Sequence, residues 1–117
     1  MITLEHMPEL TKDAARLLRR GGPSKVWAEI VEDIERGRAQ LFFVTNGSYL
    51  VLQKQQTELL ILAAAGLDAD VLMTLCIQVA RVHGLKNVIF HTSKKGLPRL
   101  LKEFKPVEIQ RTYRIKL

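Results

Sequence analysis

Apolar residues recur with two different periods along this chain, and the changes of period mark its elements. Between Leu10 and Ile34 the spacing is helical. Leu10, Ala14, Leu17 and Leu18 form the apolar face of a helix that Pro8 can open and that Gly21 and Gly22 end. Val26, Trp27, Ile30, Val31 and Ile34 form the face of a second, with Ser24 as its cap, acids between the apolar positions and Gly37 beyond its last turn. Ahead of this pair, Ile2 to Glu5 reads as a short strand. After it the period changes: "QLFFVT" and "SYLVLQKQ" flank Asn46 and Gly47, two residues that tolerate positive φ, which predicts two antiparallel strands joined by a tight turn.

The next segment, "TELLILAAA", is continuously apolar rather than alternating, as in a strand buried on both faces. Helical spacing then returns at Val71, Leu72, Leu75, Cys76, Val79 and Val82 and stops at His83 and Gly84; Cys76 falls on the stripe and so in the core. "NVIFH" is a further strand, reached by a strand-helix-strand crossover that makes a parallel pair. A short helix around Leu97 to Phe104 follows. "PVEIQRTYRIKL" alternates Val107, Ile109, Tyr113, Ile115 and Leu117 against polar neighbours, which predicts one long half-buried strand, with Arg111 out of place on the apolar parity.

Composition narrows the class. At 117 residues and 47% hydrophobic, the chain reads as a single domain over 1–117, large enough to bury roughly 65% of the surface its unfolded form exposes. Its apolar runs are too short to span a bilayer, and its start lacks the features of a secretory signal, so a cytoplasmic protein with no membrane partner is expected. That expectation also favours the turn over the glycosylation acceptor that Asn46-Gly47-Ser48 spells. One cysteine excludes an internal disulfide, and His6, His83 and His91 have no metal-ligand spacing. The net charge of +6 is uneven: residues 1–80 hold eight Lys/Arg against ten Asp/Glu, residues 81–117 ten against two. A basic region of that kind attracts anionic ligands, but it lacks the interleaved aromatics of a base-stacking surface, so nucleic acid is an unlikely partner.

The order strand, two helices, hairpin, central strand, helix, strand, short helix, terminal strand resembles the GNAT superfamily of acyl-CoA-dependent N-acetyltransferases. "RLLKEFKPVEI" is similar to that family's "lYeklGFkpv" segment, one residue shorter, and "FHTSKKGLPRLL" resembles an "FHT…G…RLL" arrangement in small phage-encoded members. The resemblance implies an α/β (α+β) fold: a mixed, mostly antiparallel central sheet flanked by helices, with a parallel β-α-β crossover at its centre. It also implies acetyl-CoA as cofactor, its pantetheine arm against a central strand that splays from its neighbour, near Ala63, Ala64 and Ala65, and its pyrophosphate at the turn before the long helix. A phage origin would make the virion an alternative location.

Carried over position by position, the family's site is altered. Its Q/R-x-x-G-x-G/A turn corresponds to Ala65-Gly66-Leu67-Asp68-Ala69-Asp70, with one glycine, no leading Gln or Arg, and two acids that can cap the helix in place of a phosphate. The tyrosine acid of many members corresponds to Arg99 or Leu100, which cannot supply a proton, although Arg99 could pair with a phosphate; the asparagine after the fourth core strand corresponds to Thr92. Glu58 could take the part of the general base, and Tyr49 and Tyr113 are substitute acids. Lys94, Lys95 and Lys102 could meet an anionic ligand at the same end of the sheet. The departures point to a degenerate acetyl-CoA site in a non-catalytic interaction or structural module, acting through a protein partner or self-association. The alternative is an acetyl-CoA-dependent N-acetyltransferase with an atypical pyrophosphate loop.

Overall fold

In a computed structural model, described for residues 3–20, 26–66, 69–91, 102–104, 107–109 and 112–117, the elements follow the predicted order with one strand added. They are β1 (Leu4–Met7), α1 (Lys12–Arg20), α2 (Trp27–Glu35), β2 (Gln40–Val44), β3 (Ser48–Gln55), β4 (Glu58–Ala65), α3 (Ala69–Val82), β5 (Asn87–His91), a 3₁₀ turn (Lys102–Phe104), β6 (Val107–Ile109) and β7 (Thr112–Lys116). The strands form one seven-stranded sheet in the order β1-β2-β3-β4-β5-β7-β6. All neighbours are antiparallel except β4 and β5, which are parallel. The mixed α/β architecture with a parallel crossover at its centre is therefore as expected.

Several local features differ from expectation, each for a physical reason. α1 starts at Lys12, four residues after Pro8, because Thr11 caps it: the Ala14 amide donates to Thr11 Oγ1 at 3.2 Å. α2 is preceded by Val26, which offers no capping side chain, while Ser24 lies outside the described residues, as do Gly21 and Gly22. The acids of α2 are not all on its solvent side. Asp33 is buried, accepts a bond from Arg38 Nε at 2.9 Å, and takes the Arg38 and Ala39 amides on its carbonyl, which turns the chain from α2 into β2. The β2–β3 loop has three residues, not two: Val44 pairs with Ser48, Gly47 alone adopts positive φ (93°), and Asn46 Oδ1 accepts the Ser48 amide at 3.1 Å.

Two apolar layers close on the sheet. On one face α3 packs Leu72, Met73, Cys76, Ile77 and Ala80 over Val44, Leu50, Leu52, Leu59, Val88 and Ile115. On the other, Ala14, Leu18 and Ile30 of α1 and α2 cover Leu41, Val51, Leu62 and Ala63. The α3 stripe stops at Val79; Val82 is 83% exposed, because the helix unwinds there into Gly84 at φ 68°.

The largest correction concerns the end of the sheet. The predicted single strand over 107–117 is a hairpin: Val107 pairs with Arg114, Glu108 with Tyr113 and Ile109 with Thr112, so the chain reverses between Ile109 and Thr112. β7 then returns beside β5, from Asn87↔Lys116 to His91↔Thr112. Of the short helix expected from Leu97, only Lys102–Phe104 falls among the described residues, as a 3₁₀ turn.

Candidate functional site

β4 is bound differently on its two sides. β3 accompanies it along its full length, from Gln55↔Glu58 to Tyr49↔Ala65, with one irregularity: Val51 pairs with Ala63 and Leu52 with Ile61, so Leu62 is the extra residue of a β-bulge. β5 accompanies it only from Glu58↔Asn87 to Ile61↔Phe90. Past that point β4 runs on through Ala63–Ala65 with no described strand residue paired on its β5 side. A bulge one residue after the last parallel pair bends the strand and increases its twist, which parts the two strands. The opening is narrow, and along β4 it is bordered by the smallest side chains that still carry a Cβ.

Ala63 and Ala65 pack on the α1/α2 side and Ala64 on the α3 side, Ala63 buried and the other two half-buried. Tyr49 lies across β3 from Ala65, its ring edge-on to Phe43 at 5.5 Å. On the far side of β5, Tyr113 is paired with Phe90 and stacked on it at 5.1 Å. Ile61, Phe90 and Tyr113 thus make the row at which the strands part. Both tyrosines are half-buried.

Gly66 ends β4 at φ 142° directly against Ser48. A Cβ placed there would overlap the Ser48 side chain and approach its Cα to 2.8 Å. Gly66 is therefore glycine because the β2–β3 turn packs beneath it, whatever else the following turn holds. α3 begins at Ala69, so Asp70 lies within its first turn and is not its N-cap, contrary to one of the two expected arrangements. Asp70 is exposed, and its carbonyl accepts from Thr74 Oγ1 at 2.9 Å. Asp68 precedes the helix and, with Leu67, lies outside the described residues, as do Thr92, Lys94, Lys95, Arg99 and Leu100.

Glu58 is half-buried at the closed end of the β4–β5 pair. Three residues separate it from Ile61, about 10 Å along the strand. Direct proton transfer to a group held in the opening is beyond its reach; only water could connect them. Cys76 is no nucleophile: it is fully buried, and burial pushes its thiol up to about 12. Among the described residues no cluster of His, Cys, Asp or Glu could hold a metal ion, and no helix is long and apolar enough to cross a membrane. Sequence reasoning missed the bulge at Leu62, which carries no local signal, and the contact of Ser48 with Gly66, which joins residues 18 positions apart.

Solved structures share this architecture over nearly their whole length. An acetyltransferase from Bacillus subtilis in complex with CoA is 17% identical, with 100% of this chain and 99% of that chain covered and a TM-score of 0.71. A putative acetyltransferase of the GNAT family from Desulfovibrio desulfuricans is 14% identical over 99% of each chain, TM-score 0.60. AtaT complexed with acetyl-methionyl-tRNAfMet is 12% identical over 99% of this chain and 95% of that one, TM-score 0.58. No protein-family model matches the chain, and no curated protein matches it. The chain has the fold of the GNAT acetyltransferases, and at these identities the likeness concerns the fold.

Proposed function

We propose that this chain binds the pantetheine arm of an acyl-CoA, acetyl-CoA in the simplest case, in the β4–β5 opening and passes the acyl group to an amine. The observation that carries this is the parting of β4 from β5 after Ile61 and Phe90, bordered by Ala63–Ala65. Small side chains admit a slender ligand, and strand backbone there can bond to its amides. The CoA-bound structure of the same fold supports the reading, because 100% of this chain aligns with it.

The thioester would supply an activated acyl carbon: the amine nitrogen bonds to it, the C–S bond breaks, and the departing thiolate takes up a proton while the nitrogen gives one up. Tyr113 is placed to hold the first of these protons, since its half-buried ring lies on the row where the strands part. Glu58 could accept the second through water.

A second reading, a GNAT-fold module without catalysis that works through a protein partner or by self-association, is favoured by two placements. Glu58 stands about 10 Å from the opening, and the Asp70 carboxylate sits at the end of α3 where a diphosphate would otherwise be attracted. Calorimetry with CoA and acetyl-CoA separates the two. Micromolar binding that weakens with salt supports the transferase, and a Tyr113→Phe variant should then lose about tenfold or more in turnover while keeping its CoA affinity. No heat at millimolar ligand leaves the module.

A further inference from the structure

The two faces of the sheet are unequally covered beside the opening. The alternation of β5 and β7 turns Val88, Phe90, Tyr113 and Ile115 toward α3, so Asn87, Ile89, Arg114 and Lys116 stand on the opposite face. α1 and α2 cover that face only as far as Leu60 of β4, which packs against their cluster while remaining half-exposed.

Cross-strand partners share a face, which sets two rows side by side. The row next to the opening runs Gln53, Leu60, Ile89, Arg114; the row behind it runs Gln55, Glu58, Asn87, Lys116. Leu60 and Ile89 are half-exposed, whereas Arg114 and Lys116 are exposed and have no ion-pair partner among the described residues. Two cations against one carboxylate leave this face positive. It is an apolar step, one residue from the end of the β4–β5 pairing, with a guanidinium one strand further on.

Resting on the acyltransferase reading above, we propose that the acceptor is a primary amine of amino-acid or dipeptide size with an aliphatic body and a free carboxylate. Its amine reaches the opening, its body lies across Leu60 and Ile89, and its carboxylate meets Arg114. The planar guanidinium fork matches a carboxylate in a way that neither an amide nor an ester can reproduce. The spacing agrees: neighbouring strands are about 4.8 Å apart, so Arg114 starts within about 10 Å of the opening and its side chain covers much of that gap.

The test compares leucine and leucylleucine with their amides and methyl esters, following release of the CoA thiol in wild type, Arg114→Gln, Arg114→Lys and Lys54→Gln, while calorimetry reports CoA affinity for each. Intrinsic reactivity opposes the expected result, because neutralising the carboxylate lowers the pKa of the amine and frees its lone pair. Wild type should nevertheless show kcat/KM at least about tenfold higher for the acids. That preference should fall to about one in Arg114→Gln, return in part in Arg114→Lys, and persist in Lys54→Gln, which is on the other face of β3. Equal turnover of acids and amides, a preference that survives Arg114→Gln, or CoA binding with no turnover of these acids would each overturn the acceptor assignment alone. Absence of CoA binding in wild type would overturn the acyltransferase reading together with it.

Discussion

The two flanks of β4 show how one strand can serve both as a structural beam and as a wall of a cleft. Toward β3 it is paired from Glu58 to Ala65, with the bulge at Leu62 absorbed by the ladder; toward β5 the pairing ends at Ile61. The closed flank is fixed by contacts that tolerate no added atom, whereas the open flank is bordered by alanines and half-exposed residues. Stability is thus concentrated on the β3 side and on the face under α3, and ligand access on the other side.

The contrast is tested most severely at Gly66, where the closed flank ends. Gly66→Ala should cost about 3 kcal/mol or more in urea unfolding, from overlap with Ser48 and from a backbone angle that disfavours a side chain. Combining it with Ser48→Gly should recover the steric part and leave the backbone part; additive losses would show that the two residues do not meet. An acidic residue at Gly66 would unfold the protein for the same reason, so loss of ligand binding in such a variant carries no information about phosphate.

A smaller difference separates the two faces of β5. Val88 is fully buried beneath α3, and Val88→Ala should cost about 2 kcal/mol, whereas Ile89→Ala on the open face should cost under about 1 kcal/mol despite removing more atoms. Equal losses in thermal unfolding would mean that the second face is as well covered as the first.

The mildest test uses pH. Cys76 titrates at about 12 in the fold against 9.0 when free, because burial disfavours its thiolate. A raised folded value means that the stabilisation is complete below pH 9 and is lost as pH climbs from 9 toward 12, at up to about 1.4 kcal/mol per unit. Other groups titrate in the same range, so the measure is the extra slope of wild type over Cys76→Ala. No extra slope would place the thiol in contact with water.

How much of this was legible beforehand depended on where the signals lay. The α3 stripe, the apolar β4 and the parallel crossover followed from period and run length. Hairpin turns were legible only when their chemistry was marked: Asn46 and Gly47 announced the β2–β3 turn, although Gly47 alone takes the positive φ. Gln56, at φ 54°, turns β3 into β4 without any such mark, and the two strands were still separable because both are strongly apolar. Gln110 and Arg111 likewise carry no turn signature, and the weaker alternation on either side merged into one strand; the only trace of the reversal was Arg111 on the wrong parity. Of the candidate site, Ala63–Ala65 fell beside the opening, but Glu58 fell at its closed end, since residue type does not reveal where parallel pairing stops. The row from Leu60 to Arg114 was invisible because it joins three strands whose order only the assembled sheet defines.

The position of β7 bears on how the chain is made. It is the latest described strand in chain order, yet it lies inside the sheet between β5 and β6. During synthesis β5 therefore waits with one side unclaimed, a template for pairing with another nascent chain, until Thr112–Lys116 emerges and fills the place. Ribosome stalling or truncation ahead of Thr112 would leave that vacancy permanent, and aggregates seeded through β5 would be the expected product.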